Sequence, residues 1–236
     1  MIKTEDLTKK YGGVTVLNLP DLMIPAGERF GLVGNNGAGK TTFFSLILDL
    51  IEATTGNVCS KERPVAQSDH WKSYTGAFLD EHFLIDFLTP EEYFKFIAGL
   101  HRMTREQFSL KLAEFEDFFN GEILRQKKYI RSLSRGNQKK IGIAAALFGD
   151  PKVVILDEPF PHLDPSSVIR LKKILKGLAG NHETTLLISS HDLNHVTEVC
   201  ERIVILEKGE IVHDLRTDNT TLEKLNAYFD PIRERN

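Results

Sequence analysis

The chain has 236 residues, 41% hydrophobic and 27% charged, which suits one large globular domain, or one domain with a subdomain, around a real core. With 30 basic and 33 acidic side chains the net charge is −3, a balance that speaks against non-specific nucleic-acid binding. Two cysteines without a CxxC pair, Cys59 and Cys200, fit a reducing compartment and argue against a disulfide framework or a zinc site.

The opening MIKTEDLTKK is charged and has no apolar h-region, so no signal peptide is expected. No run reaches the ~20 apolar residues of a membrane helix. Three short segments bounded by Gly and Pro follow as predicted strands: Ile2 to Leu7, Val14 to Leu19 and Arg29 to Val33. In TTFFSLILDLI the spacing turns helical, with Phe43, Leu46, Ile47 and Leu50 on one face. In LTPEEYFKFIAGL, Thr89, Pro90 and Glu92 form a capping box at a helix start. MTREQFSLKLAEFEDFFNG repeats the device with Thr104 and Gln107. Its predicted stripe is Phe108, Leu112, Phe115, Phe118 and Phe119, and Gly121 is the stop. This helical block interrupts an alternating pattern, which resumes with a helix after Ser134, the strand VVILD, a helix from Ser166, the strand TTLLIS and a helix from Asp192. RIVILEKGEIVHDL then reads as a hairpin turned at EKG, and a last helix runs from about Leu222 to Phe229. Apolar strands alternating with helices imply a parallel sheet covered on both faces.

Two motifs in this frame carry phosphate chemistry. GLVGNNGAGKTT holds G-x-x-x-x-G-K-T: Gly34, Asn35, Asn36, Gly37, Ala38, Gly39, Lys40, Thr41, and then Thr42. Its position between a strand and an amphipathic helix suits a nest of backbone amides around a polyphosphate, with Lys40 reaching the β- and γ-phosphates and Thr41 offering a hydroxyl to Mg²⁺. VVILDEP ends a buried strand in Asp157 and Glu158, at the sheet edge where the phosphate loop lies. Asp157 suits a Mg²⁺ ligand, and Glu158 a base that orients or deprotonates water.

Three further motifs complete a set: LSRGNQ from Leu133, HLD ending at Asp164, and SSH ending at His191. In this order, and over nearly its whole length, the chain resembles the nucleotide-binding subunit of ATP-binding cassette (ABC) transporters. The resemblance implies a P-loop NTPase of α/β class: a RecA-like parallel-sheet core, an N-terminal antiparallel β subdomain and an inserted α-helical subdomain. The expected bounds are 1–87 and 149–236 for the β subdomain with the core, and 88–148 for the helical part with the signature. It implies ATP and Mg²⁺ as cofactors and a homodimer in which Ser134 and the amide of Gly136 reach the γ-phosphate of the partner's ATP. It also implies His191 as the γ-phosphate switch, Asp164 as a bridge between subunits, and Tyr11 as the ring that stacks on adenine. An integral-membrane subunit would be the other partner, with the chain peripheral on the cytoplasmic face of the membrane and no nucleic acid bound.

The chain departs from the family pattern in two places. The commonest signature is LSGGQ, whereas Arg135 and Asn137 stand here in place of a glycine and the glutamine; the hydroxyl of Ser134 and the bare backbone of Gly136 are kept. Similar basic substitutions occur in subunits resembling partners of ABC-2-type exporters, which turns the expectation toward export. Where the family has a Mg²⁺-contacting glutamine, GAFLDEHFLIDFLT puts Asp80, followed by Glu81; a carboxylate can ligate Mg²⁺ there. Aromatics from Phe83 to Phe96 are candidates for a groove that receives the membrane partner, with packing inside the helical block as the plainer role. The competing function is a soluble ABC-type ATPase with a non-transport partner, which would call for a long coiled coil, zinc cysteines or tandem cassettes. A P-loop GTPase would call for an Asn-Lys-x-Asp run. The sequence has none of these.

Overall fold

The computed structural model describes residues 1–178 and 184–229. In chain order its elements are β1 (Ile2–Tyr11), β2 (Val14–Leu19), β3 (Met23–Ile24), β4 (Arg29–Val33), α1 (Lys40–Ile47), β5 (Thr55–Ser60), β6 (Arg63–Pro64) and β7 (Thr75–Phe78). There follow α2 (Pro90–Leu100), α3 (Arg105–Ala113), α4 (Glu116–Phe119), α5 (Arg135–Leu147), β8 (Val153–Leu156), α6 (Pro165–Leu178), β9 (Thr185–Ser190), α7 (Leu193–Val199), β10 (Arg202–Glu207), β11 (Glu210–Arg216) and α8 (Thr221–Phe229).

The strands form two sheets. One is antiparallel, in the order β2-β1-β5-β6 with β3 against β1. The other runs β11-β10-β4-β9-β8-β7 and is parallel apart from the β10–β11 hairpin. Side chains alternate across the parallel sheet. Val153, Ile155, Leu187, Val204 and Leu206 turn to a core shared with α1 and the antiparallel sheet. Val154, Leu156, Leu186, Ile188, Ile203 and Ile205 turn to the opposite core, built with α5, α7 and the helical block. A strand buried on both faces has to be apolar throughout, which is why VVIL and LLI carry no alternation.

Both capping boxes form as read, Thr89 with Glu92 and Thr104 with Gln107. Two helices are shorter than the spacing suggests. The helix after the phosphate loop stops at Ile47, and Asp49 turns to φ 50°, so Leu50 leaves the stripe and is exposed. The helix from Thr104 breaks after Ala113 and restarts at Glu116, ending in left-handed Asn120. The break lets Phe115, Phe118 and Phe119 turn inward around Phe94 and Phe148, with ring centroids 5.4 Å apart for Phe94–Phe148 and 5.5 Å for Phe94–Phe119, inside the range of favourable ring pairs. No helix among the described residues is long and apolar enough to cross a membrane.

Candidate functional site

The register of the parallel sheet assembles the site. Val33 of β4 pairs with Ser190 of β9, and Leu156 of β8 with Ile188. These three strands run the same way and finish at one edge, so the residues that follow them, Gly34, His191 and Asp157, leave the sheet side by side.

Gly34 to Gly39 form the loop between β4 and α1. Gly39 is the residue before α1 and has φ 107°, a backbone state closed to ordinary side chains; it lets the chain swing directly into the helix. Lys40 is buried and its Nζ donates to the carbonyls of Gly34 at 2.6 Å and Asn35 at 3.4 Å. The Thr41 hydroxyl donates to Asp157 Oδ2, and the Ser189 hydroxyl to Asp157 Oδ1. Burial holds the Asp157 carboxyl above its ordinary value, and the hydroxyls of Ser189 and Thr41 offset this only in part. Thr42 is half-buried on the first turn of α1.

Glu158 sits between two cationic or polar partners. Its Oε1 is 3.5 Å from Lys40 Nζ and its Oε2 is 2.9 Å from His191 Nδ1. Its backbone is left-handed, at φ 45°. Its amide donates to Ser189 Oγ at 2.9 Å, and its carbonyl accepts from Lys139 Nζ at 2.8 Å. These groups border a cavity of about 900 Å³ whose wall includes Asn36, Thr41, Asp157, Glu158, His191 and Arg135.

Asp80 and Glu81 are on the same wall. Asp80 caps a short 3-10 turn, accepting from the His82 amide at 2.8 Å and from the His82 ring. Burial works against its ionised form, but the His82 bonds and Lys139 outweigh it and hold the carboxyl below its ordinary value. Ser134 is the N-cap of α5, accepting from the Asn137 amide at 3.3 Å, and it is exposed beside Arg135. Gly136 faces the chain that follows Glu158: a Cβ there would lie 2.5 Å from the His162 carbonyl oxygen. Asp164 lies outside the cavity and caps α6, accepting from Ser166 Oγ at 2.7 Å and from the amide and hydroxyl of Ser167, with Lys140 Nζ 3.4 Å away. Tyr11, the last residue of β1, is 51% exposed, with Lys9 Nζ 4.8 Å from its ring centre.

Two participants escape the sequence. Ser189 grips both Asp157 and Glu158, and its only signal is its place at the head of SSH, two residues before His191. Lys139 is buried in the wall, where burial holds its ammonium below the ordinary lysine value and Glu81 and Glu158 offset this only in part. Its signal is a charged pair, Lys139 and Lys140, leading into the apolar run IGIAAAL.

The donor set suits a hard divalent cation that arrives with a polyphosphate. Thr41 supplies a hydroxyl and Asp157 a buried carboxylate, the small oxygen set with which Mg²⁺ keeps its waters and phosphates. Among the described residues there is no cluster of three or more His, Cys, Asp or Glu side chains that would cage a metal.

Known proteins similar to this chain share one family and one fold. Residues 17–161 match the family model described as ABC transporter. An uncharacterized ABC transporter ATP-binding protein of Bacillus subtilis is 37% identical over 90% of this chain and 70% of its own length. A bacitracin transport ATP-binding protein of Enterococcus faecalis is 32% identical over 97% of this chain and 73% of its own. A solved ATP-binding cassette, a dimeric post-hydrolysis state bound to ADP and Pi, superposes with a TM-score of 0.81 at 25% identity, covering 93% of this chain and all of that one.

Proposed function

The chain belongs to the ABC transporter family as an ATP-binding cassette with ATPase chemistry, and from that premise we propose that it powers export through a separate transmembrane subunit, working as a homodimer. One observation carries the catalytic part: the Glu158 carboxylate is held between Lys40 and His191, facing the cavity that Thr41 and Asp157 also border.

In this reading the amides of Gly34 to Gly39 and the N-terminus of α1 cradle the phosphates of ATP. Lys40 exchanges its carbonyl contacts for phosphate oxygens. Thr41 and Asp157, with Asp80 at the rim, would hold Mg²⁺, which would supply neutralisation of phosphate charge. Glu158 orients the attacking water and takes its proton, and His191 fixes the carboxylate and contacts the γ-phosphate. Tyr11 stacks on adenine. Ser134 and the Gly136 amide complete the site from a second copy, so that two nucleotides are shared across a two-fold axis, and Asp164 lies at that interface. The exposed starts of α5 and the bare backbone at Gly136 support this arrangement.

A second, apolar groove is bordered by Leu50, Trp71, Phe83, Tyr93 and Ile97, and Phe83 and Leu50 are exposed on it. It suits a cytoplasmic helix of a membrane subunit, with the helical block, residues 88–148, passing the motion of closure to it. Export rests on the basic signature and on the likeness to a bacitracin transport protein.

The test is ATP turnover per molecule of the purified chain as its own concentration rises. A shared site gives a rate that climbs with concentration. A constant rate, from a species that stays monomeric with ATP when hydrolysis is blocked, overturns the shared site. Co-purification of a polytopic membrane protein from detergent extract tests the transport reading.

A further inference from the structure

Helix α5 is docked against the segment that carries the catalytic carboxylate at two points. At its start, Gly136 abuts the His162 carbonyl. One turn later, Lys139 donates its ammonium to the Glu158 carbonyl at 2.8 Å. Lys139 is 6% exposed and its bond to the carbonyl is partly buried, so the charge-assisted contact is strong and its loss leaves a backbone acceptor unpaired. The carbonyl it holds belongs to a residue in the left-handed region, φ 45°, a backbone state that a glutamate keeps only when its surroundings impose it. The two groups that impose it are both side chains from other elements: Ser189 of β9 on the amide and Lys139 of α5 on the carbonyl.

Lys139 has a second neighbour. Glu81 Oε1 stands 3.7 Å from its Nζ and has no hydrogen bond among the described residues. Glu81 lies two residues before Phe83, which is exposed on the apolar groove. One ammonium therefore joins the loop that edges the groove to the backbone of the residue that handles water.

We propose that Lys139 is a positioning residue for Glu158, and that its ion pair with Glu81 makes that positioning respond to the loop at the groove. This rests on the role given to Glu158 above. Lys139 acts through the Glu158 backbone: it sets the left-handed turn that aims the carboxylate between Lys40 and His191. A shift of Glu81, imposed through Phe83, pulls the ammonium away from the Glu158 carbonyl and lets the carboxylate swing out of line.

The experiment is steady-state ATP hydrolysis by the full chain carrying Lys139→Met, Lys139→Arg, Glu81→Gln or Glu158→Gln, with ATP affinity measured separately by fluorescent-nucleotide displacement. Lys139→Met is expected to lower kcat about tenfold or more while the dissociation constant for ATP stays within about threefold. Lys139→Arg restores most of the rate, and Glu81→Gln lowers kcat about threefold to tenfold. Combining Lys139→Met with Glu158→Gln costs nothing beyond Glu158→Gln alone, because both act on one carboxylate. Wild-type kcat in Lys139→Met and Glu81→Gln, or a full additional loss in the double variant, overturns the proposal. If Lys139→Met does not fold, Glu81→Gln and Lys139→Arg decide by the same criteria. If Glu158→Gln itself turns over at the wild-type rate, it is the role of Glu158 that fails, and the two failures are told apart.

Discussion

The imidazole Nδ1 of His191 lies 2.9 Å from Glu158 Oε2, while the other oxygen of the same carboxylate is 3.5 Å from Lys40 Nζ. Strands β8 and β9 thus deliver the base and its orienter from neighbouring positions, and the phosphate-loop lysine closes the third side. Removing the charge but keeping the shape of the carboxylate isolates its chemical role. Glu158→Gln is expected to slow ATP turnover by about 10²–10⁴-fold with nucleotide binding intact, and to accumulate an ATP-bound dimer in size-exclusion chromatography. Turnover within about threefold of wild type removes Glu158 from the mechanism.

His191→Ala leaves the Glu158 carboxylate with Lys40 as its only ion-pair partner among the described residues. A loss of kcat of about 10²-fold is expected, with ATP affinity changed far less. A variant that loses affinity and keeps kcat would make His191 a binding residue instead.

Asp80 spends its Oδ1 on the His82 amide and ring, so only Oδ2 is left to face a cation. Asp80→Gln removes a negative charge from the cavity wall and keeps an oxygen at hand. ATPase activity is expected to be held or raised; a drop of about 10²-fold would show that the carboxylate is required.

Phe148 packs against Phe94, Phe108 and Phe115, with centroids 5.4, 5.9 and 6.3 Å away, and is fully buried. Phe148→Ala should lower stability by about 3–5 kcal/mol, read from the urea midpoint at unchanged m-value. A cost below about 1 kcal/mol would mean that the cluster collapses around the gap.

The hydroxyls of Ser167 and Ser166, then the Ser167 amide and Lys140, hold the Asp164 carboxyl well below its ordinary value of 3.8. For an acid with a lowered native pKa, the stabilisation is present above 3.8 and is lost as pH falls towards the native value. The stability gap between wild type and Asp164→Asn should therefore be full near neutrality and shrink below about pH 4. The group faces solvent, so the gap is modest. Urea midpoints that differ equally at neutral and acid pH would assign the gap to shape and not to charge.

What was legible in the sequence was local chemistry. Thr89 with Glu92, Thr104 with Gln107, and Gly39 before Lys40 need only their neighbours in the chain, and each sits as read. The apolar runs marked the strands because a twice-covered strand takes a polar residue only where it is hydrogen-bonded, as Ser189 is. The breaks at Asp49 and Glu114 were not legible, since helical spacing continues through both and only the demand of the aromatic core for Phe115, Phe118 and Phe119 selects a new axis. Nor was the reach of Lys139: a lysine on a helix reads as solvated until the 158–162 segment is laid across it. Asp164 showed the reverse, a motif residue whose side chain is first occupied within its own chain.

The contact at Gly136 sets how freely this stretch can drift. Arg135 is turned outward and Asn137 gives only its amide to Ser134, so neighbours on either side can be exchanged without disturbing the helix seat. At 136 a single added methyl would run into the His162 oxygen at 2.5 Å. A saturation library over residues 133 to 138, selected for function, should thus stay diverse at 135 and 137 and collapse to one letter between them.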